Sequence, residues 1–483
     1  MHIWDRHMHR LEITQPLTIK KHTATSSLNK LEEMGIPIEQ KLSKLSECIS
    51  SIDKFYLPST IHSIVNQQFI LDKEKEIISI FEEAQASELN YLITHSKLAQ
   101  IFYKIKDHRS FNHQHRTRII ELMGIHRISQ LTVHSKVRVL HALQLMKLSA
   151  NMRAEYCVRN IIISTKQDKL SDLKTLMDAK GDYLCMRKLI FEDIKSDKYR
   201  EDILMHIKTQ ARVQLTHMHF NTKRSKERKR TKFWRKILSD VDDTLTCSAG
   251  SYPSGIDKRF GKKIVYPGVL AFYRELDLGT DGPEEWPANA IGNLVFLSAR
   301  PHVYKDVSEK INFAKFAKLR ERGMHTTPCL LAGDITSGIE TLMKNDFEPL
   351  AQKKFDNFKA YASIYPEFRH VFVCDNGQGD VRAGELMVDA FPTMVEAIYV
   401  HVVQKVSKTY KYDANEWEKK EPQPCFFTTY PEAALDAARR SPPLIRVNGL
   451  RRICVESVND FNLIDEKSWP SKETKWDRRD ELN

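Results

Sequence analysis

The chain has 483 residues, 41% of them hydrophobic and 29% charged, and carries a formal net charge of +12. That length supports a full-sized core and favours two domains over one. No apolar run approaches the roughly 20 residues of a membrane-spanning helix, and the first ten residues, with Asp5, Arg6 and Arg10, lack a signal-peptide core, so a cytoplasmic protein is expected.

The positive charge suits an anionic partner: a phospholipid surface, nucleic acid or a phosphorylated substrate. Eight cysteines are spread from Cys48 to Cys454 with no CxxC pair and no zinc-type Cys/His spacing, and read as reduced core residues. His2, His7 and His9 have metal-binding chemistry, but the N-terminal segment reads as a polar terminus.

From residue 1 to 220 the chain is poor in turn formers. Of 17 glycines only Gly35, Gly124 and Gly181 precede Asp240, and of 18 prolines only Pro16, Pro37 and Pro58 do. Leu, Ile, Lys and Glu dominate, which favours helix. Val133, Val137, Leu140 and Leu143 fall on one helix face, as do Leu173, Leu176 and Met177, for which Ser171 is a suitable N-cap. An all-α interaction domain follows, either an armadillo-like stack or a plain bundle; no clean repeat period separates the two.

Residues 221–236 hold nine Lys or Arg against one Glu. They read as a solvated basic linker between domains, with contact to an anionic membrane as a secondary role. Beyond it, short apolar runs at Lys236–Ser239, Leu294–Leu297, Cys329–Leu331, Val371–Cys374 and Ala397–Val403 alternate with helix-like stretches that begin at Gly268, Lys310 and Lys353. This predicts an α/β domain over 237–410, built on a parallel sheet covered by helices, with its ligand beyond the carboxyl ends of the strands. Residues 411–483 form a C-terminal extension in which TTYPEAALDAARR reads as a capped helix and the last fifteen residues as polar and extended.

Chemistry-bearing residues cluster at the strand ends. Asp240-Val241-Asp242-Asp243-Thr244 follows the first run, Ser298-Ala299-Arg300-Pro301 the second, and Asp375-Asn376-Gly377-Gln378-Gly379-Asp380 the fourth, with Lys353 and Lys354 opening the helix before the fourth. Carboxylates are hard ligands suited to Mg²⁺ beside phosphate and water. One can attack phosphorus, and a second two residues on can act as acid and base. A lysine and a hydroxyl can hold the phosphoryl oxygens. Singly, these are an acidic turn, a helix cap and a surface lysine; in this order they point to a phosphatase.

The order D-x-D-x-T, Ser, Lys, acidic pair resembles the haloacid dehalogenase superfamily, whose fold is Rossmann-like. Within it, SDVDDTL, YPGVLAFYREL, FLSARPHVY, KKFDNFKAYASIYPEFRHVFVCDNGQGD and FPTMVEAIYVHVV resemble the catalytic domain of the actin-patch-associated phosphatidate phosphatases, over roughly residues 235–405. The resemblance implies Asp240 as nucleophile and metal ligand, and Asp242 as general acid/base with its backbone carbonyl towards the metal. It implies Thr244 at the motif turn, Ser298 on the phosphoryl group and Lys354 (or Lys353) as the cation, with Thr244 and Arg300 binding substrate. Asp375 and Asp380 would complete the Mg²⁺ ligands. Cys374 and Asn376 depart from the family's Gly and Ser, and His401 stands where arginine is expected. The residues between Leu245 and Pro267 leave room for a flap hairpin and not a cap domain, so an open site for a large or membrane-bound phosphomonoester is expected.

The implied function is conversion of phosphatidate to diacylglycerol at a membrane surface by a peripheral protein, with a protein partner on the helical half and no nucleic acid. The alternatives are the same chemistry on a phosphoprotein or another phosphomonoester, or a scaffold whose phosphatase domain is vestigial.

Overall fold

The computed structural model describes residues 38–55, 64–108, 113–146, 148, 151–180, 184–224, 235–251, 255–279, 291–301, 314, 316–333 and 346–482, the side chains of 53–55, 64–66, 217–224, 298–301 and 332–333 excepted. The chain forms two compact units, one of residues 1–177 with 188–210 and one of 178–187 with 211–483.

The first unit is helical. Its main elements are α1 (Ile38–Phe55), α2 (Ile64–Glu83), α3 (Ala86–His95), α4 (Leu98–Lys104), the short ribbon β1 (Asp107–His108) and β2 (His113–Gln114), α5 (His115–Glu121), α6 (Val133–Leu145), α7 (Met152–Ile163) and α8 (Gln167–Asp178). Val137, Leu140 and Leu143 of α6 are buried, as their spacing predicts, and Thr132 caps the helix by accepting from the Ser135 N–H. Ser171 is not an N-cap: α8 begins at Gln167, and Ser171 is buried inside it. The long α9 (Asp197–Arg224) takes in the first four residues of the expected basic linker.

In the second unit come β3 (Arg235–Ser239), α10 (Val269–Leu278), β4 (Leu294–Pro301), β5 (Cys329–Gly333), α11 (Glu348–Ile364), β6 (Arg369–Asp375), α12 (Asp380–Ala390), β7 (Val395–His401), β8 (Pro424–Phe427), α13 (Tyr430–Arg439), α14 (Val447–Asn462) and α15 (Lys472–Leu482). The six strands pair in the order β5-β4-β3-β6-β7-β8, all parallel. The chain leaves β3 towards β4 on one side and returns to β6 on the other. The switch in strand order, where such sheets bind ligands, therefore lies between the carboxyl ends of β3 and β6. The core joins Ile237, Phe272, Leu276, Phe296, Val371, Val373 and Tyr399 across sheet and helices.

Three further expectations change. Arg235 and Lys236 are buried residues of β3 and not part of a linker. Arg235 pairs with Glu396 at 2.6 Å and donates to the Leu276 and Leu444 carbonyls. The Lys236 ammonium lies over the rings of Tyr365 and Phe368, at 4.2 and 4.6 Å from their centroids, and burial lowers its pKa to about 8 against the charge of Asp178. The sheet does not end near residue 410, because β8 pairs with β7 and Phe427, Tyr430, Ala433, Ala434, Ala437 and Ile453 enter the core. A first-position proline is tolerated because β8 is an edge strand. Finally, the last segment is the helix α15 and not extended.

All eight cysteines are unpaired, six of them buried. Among the described residues no helix is long and apolar enough to cross a membrane.

Candidate active site

Parallel pairing sets the geometry of the site. Ser239 is in register with Val373, and the Asp240 N–H donates to the Val373 carbonyl at 3.0 Å, so Asp240 leaves β3 beside the end of β6, where Asp375 is the last strand residue. Asp380 is the first residue of α12, where a carboxylate is favoured by the helix dipole. The carboxylates of Asp240, Asp375 and Asp380 offer oxygens that all lie within 4.8 Å of one another, and all three residues are buried. Lys354 enters from α11. Its ammonium donates to Asp240 Oδ1 at 2.8 Å and forms a shorter contact with Asp380 Oδ1. Of the two adjacent lysines, Lys354 is buried and Lys353 half-buried.

The electrostatics follow from crowding. Burial first, and then the charges of Asp380 and Asp240, push the Asp375 carboxyl well above the usual range. Burial raises Asp380 to about 6 although Lys354 opposes it. Burial alone would lower the Lys354 pKa, but Asp240 and Asp380 outweigh it and hold the ammonium charged. Asp380 Oδ2 is buried without a hydrogen-bond partner among the described residues. Three carboxylates facing one ammonium, with an orphaned oxygen, form an all-oxygen donor set that fits a hard divalent cation.

Asp242 lies two residues beyond Asp240, half-buried, and is not one of the three clustered carboxylates; its charge nonetheless acts on Asp380. Thr244 is buried. Its hydroxyl has no partner among the described residues, and its carbonyl accepts from the Tyr430 hydroxyl at 2.7 Å. Ser298 and Arg300 are within β4 and not after it, since the strand runs to Pro301, where it pairs with Gly333; their side chains lie outside the described set.

Asp243 was not singled out by its sequence position, yet it organises the segment that follows the motif. It adopts a left-handed φ of 55°, and its buried carboxylate accepts the backbone N–H groups of Ser248, Ile256 and Asp257 at 2.8, 2.6 and 2.9 Å. Burial raises its pKa against these bonds. The segment it holds returns antiparallel, with Thr246 bridged to Val265, as a flap hairpin would. Gly255 is required here, because a Cβ would lie 2.1 Å from Asp243 Oδ2.

Arg259 of this flap is paired with Asp257, and its guanidinium lies 3.1 Å from His401 Nε2, while His401 Nδ1 bonds the Asp243 carbonyl at 2.8 Å. A guanidinium thus reaches the position where the sequence lacks arginine, supplied from another element. Burial and Arg259 lower the His401 pKa to about 4, so the ring is neutral at pH 7. Asn376 turns away from the carboxylates: its side chain bonds the backbone of Val403, Gln404 and the Thr409 hydroxyl, securing the loop after β7.

The parallel sheet thus carries a carboxylate cluster and a buried lysine at its switch point. Residues 235–402 match the family model of the phosphatidate phosphatase APP1 catalytic domain, and this domain makes the chain a phosphoric monoester hydrolase. No curated protein and no solved structure gives a significant match to the chain.

Proposed function

We propose that the second unit dephosphorylates phosphatidate to diacylglycerol through an aspartyl-phosphate on Asp240. The observation that carries this reading is the Lys354 ammonium shared between Asp240 and Asp380, inside a carboxylate cluster at the ends of β3 and β6. The Asp240 carboxylate attacks phosphorus as the bond to the glycerol oxygen breaks, and Asp242 gives that oxygen its proton. Asp242, now ionised, takes a proton from a water that attacks phosphorus, and the P–O bond to Asp240 breaks to release phosphate. Lys354, Ser298, Arg300 and Thr244 steady the phosphoryl oxygens. Asp240, Asp375, Asp380 and the Asp242 carbonyl would hold Mg²⁺, which when bound supplies positive charge at the phosphoryl group.

The flap between Thr246 and Val265, with no helix among its described residues, suits a large substrate presented by a membrane surface, to which the excess of basic residues would draw a cytoplasmic, peripheral protein. The helical unit would serve a protein partner.

Phosphate release is to be measured with Mg²⁺ on phosphatidate in mixed micelles and on a soluble aryl phosphate. Asp240→Asn should lower both rates by about three orders of magnitude or more. Activity confined to the aryl phosphate would move the substrate away from phosphatidate, and an active Asp240→Asn protein would end the covalent mechanism.

A further inference from the structure

A second set of ligand-type side chains is assembled in the helical unit. Glu74 of α2 is fully buried, and among the described residues its ion-pair partners are two imidazoles that converge on one oxygen. His108 Nε2, from β1, and His115 Nδ1, from the start of α5, lie 2.8 and 2.7 Å from Glu74 Oε2. The other oxygen accepts the Lys106 N–H at 2.9 Å. His113 is in register opposite His108, and its ring stacks on His115 with centroids 5.1 Å apart. The three ligand atoms lie within 4.8 Å of one another.

The ribbon that presents His108 is two residues per strand, too short to be stable alone. One end is fastened by Asp107, which accepts the N–H and hydroxyl of Thr117 at 3.0 and 2.8 Å. The other end depends on the Glu74–imidazole cluster.

We propose that Glu74, His108 and His115 bind one borderline divalent transition-metal ion of the zinc type, as a structural staple between α2 and the β1–β2 ribbon. Two imidazoles and one carboxylate form a donor set that such ions favour and that Mg²⁺ does not. Tetrahedral zinc with bonds of about 2.0–2.1 Å separates its ligand atoms by about 3.3 Å, so the imidazoles need withdraw from Glu74 by only about half an ångström. Ligation through His108 Nε2 and His115 Nδ1 uses the lone pairs of those atoms, so a ring proton can remain only on the other nitrogen, Nδ1 of His108 and Nε2 of His115. Sequence spacing hides the set, because Glu74 is far from both histidines along the chain. The site is chemically unlike the all-oxygen cluster at Asp240.

The test uses the full chain, stripped with chelator and titrated with zinc chloride alone against a chromophoric competitor. Cobalt(II) and X-ray absorption then report imidazole ligation. One tight equivalent with nitrogen ligation is expected, together with a zinc-dependent rise in Tm. His108→Gln keeps a side-chain donor for Glu74 on a half-buried position. It should keep the fold by circular dichroism and the phosphatase rate, yet lose about 100-fold or more in zinc affinity. Replacing His2, His7 and His9 with Gln, or Asp240 with Asn, should leave that equivalent in place. The proposal is overturned if His108→Gln binds zinc as the wild type does, if the variant lacking His2, His7 and His9 loses the equivalent, or if no nitrogen-ligated equivalent appears.

Discussion

Lys354 is held between two carboxylates that would otherwise repel each other, and its raised pKa keeps it charged throughout the neutral range. A cation in that place lowers the cost of an anionic nucleophile approaching an anionic phosphate. Lys354→Met should therefore lower kcat by about 10²–10³-fold with a smaller effect on KM, a loss comparable to removing one oriented donor from an anion-stabilising site. Steady-state kinetics decides it; an unchanged kcat would remove Lys354 from phosphoryl handling. Asp375 sits in the same cluster but has a structural duty as well, since its Oδ1 accepts the Gly377 N–H at 2.6 Å.

The flap and the last strand are built by contacts between distant elements. Asp243 supplies three acceptor contacts to the returning chain, and the space beside it is filled by Gly255. Gly255→Ala would force the carboxylate off the Ile256 and Asp257 N–H groups. A loss of about 2 kcal/mol or more in denaturant unfolding is expected, with a fall in activity because Arg259 and His401 are tied to the same turn. Wild-type stability in that variant would show that the turn repacks freely. At the other end of the sheet, β8 and α13 close the core over β7, and Tyr430 reaches the motif turn through the Thr244 carbonyl. A chain ended after residue 410 should lack cooperative unfolding and phosphatase activity, because it exposes the apolar face that Phe427, Tyr430 and Ile453 cover. A soluble, active truncation would show that these elements are an appendage.

Stability of the whole chain carries a pH signature from His370. Both ring nitrogens are buried without hydrogen-bond partners among the described residues, and burial together with the Lys236 charge lowers the pKa from 6.5 to about 3. The unfolded chain therefore binds a proton near pH 6.5 that the folded chain refuses until about pH 3. The neutral-ring contribution is fully present above pH 6.5 and is lost progressively as pH falls towards 3. Between pH 6.5 and 4.5 this costs about 2–3 kcal/mol at 1.36 kcal/mol per unit. His370→Phe, which keeps an aromatic ring against Phe358, should lose about that much less stability over the same interval in urea titrations. An identical acid slope in both proteins would rule out His370 as its source.

What could be read directly from the chain was local: apolar runs flanked by breakers, and acidic, hydroxyl and lysine residues in the order one site needs. The runs at Lys236–Ser239, Leu294–Leu297, Cys329–Leu331, Val371–Cys374 and Ala397–Val403 all fall within or overlap strands, because a parallel strand buried on both faces is apolar throughout. Asp240, Asp375, Asp380 and Lys354 meet because each follows or precedes such a run, which also makes the site legible. β8 was not legible, since a four-residue edge strand that begins with proline has no periodicity to detect. The function of Asp243, the approach of Arg259 to His401, the burial of Arg235 and Lys236, and the convergence of His108 and His115 on Glu74 depend on pairs far apart in the chain. Their chemistry is visible in the letters, but nothing local states which distant group each will face; that is settled when the sheet register and helix packing bring the partners together and remove water from between them.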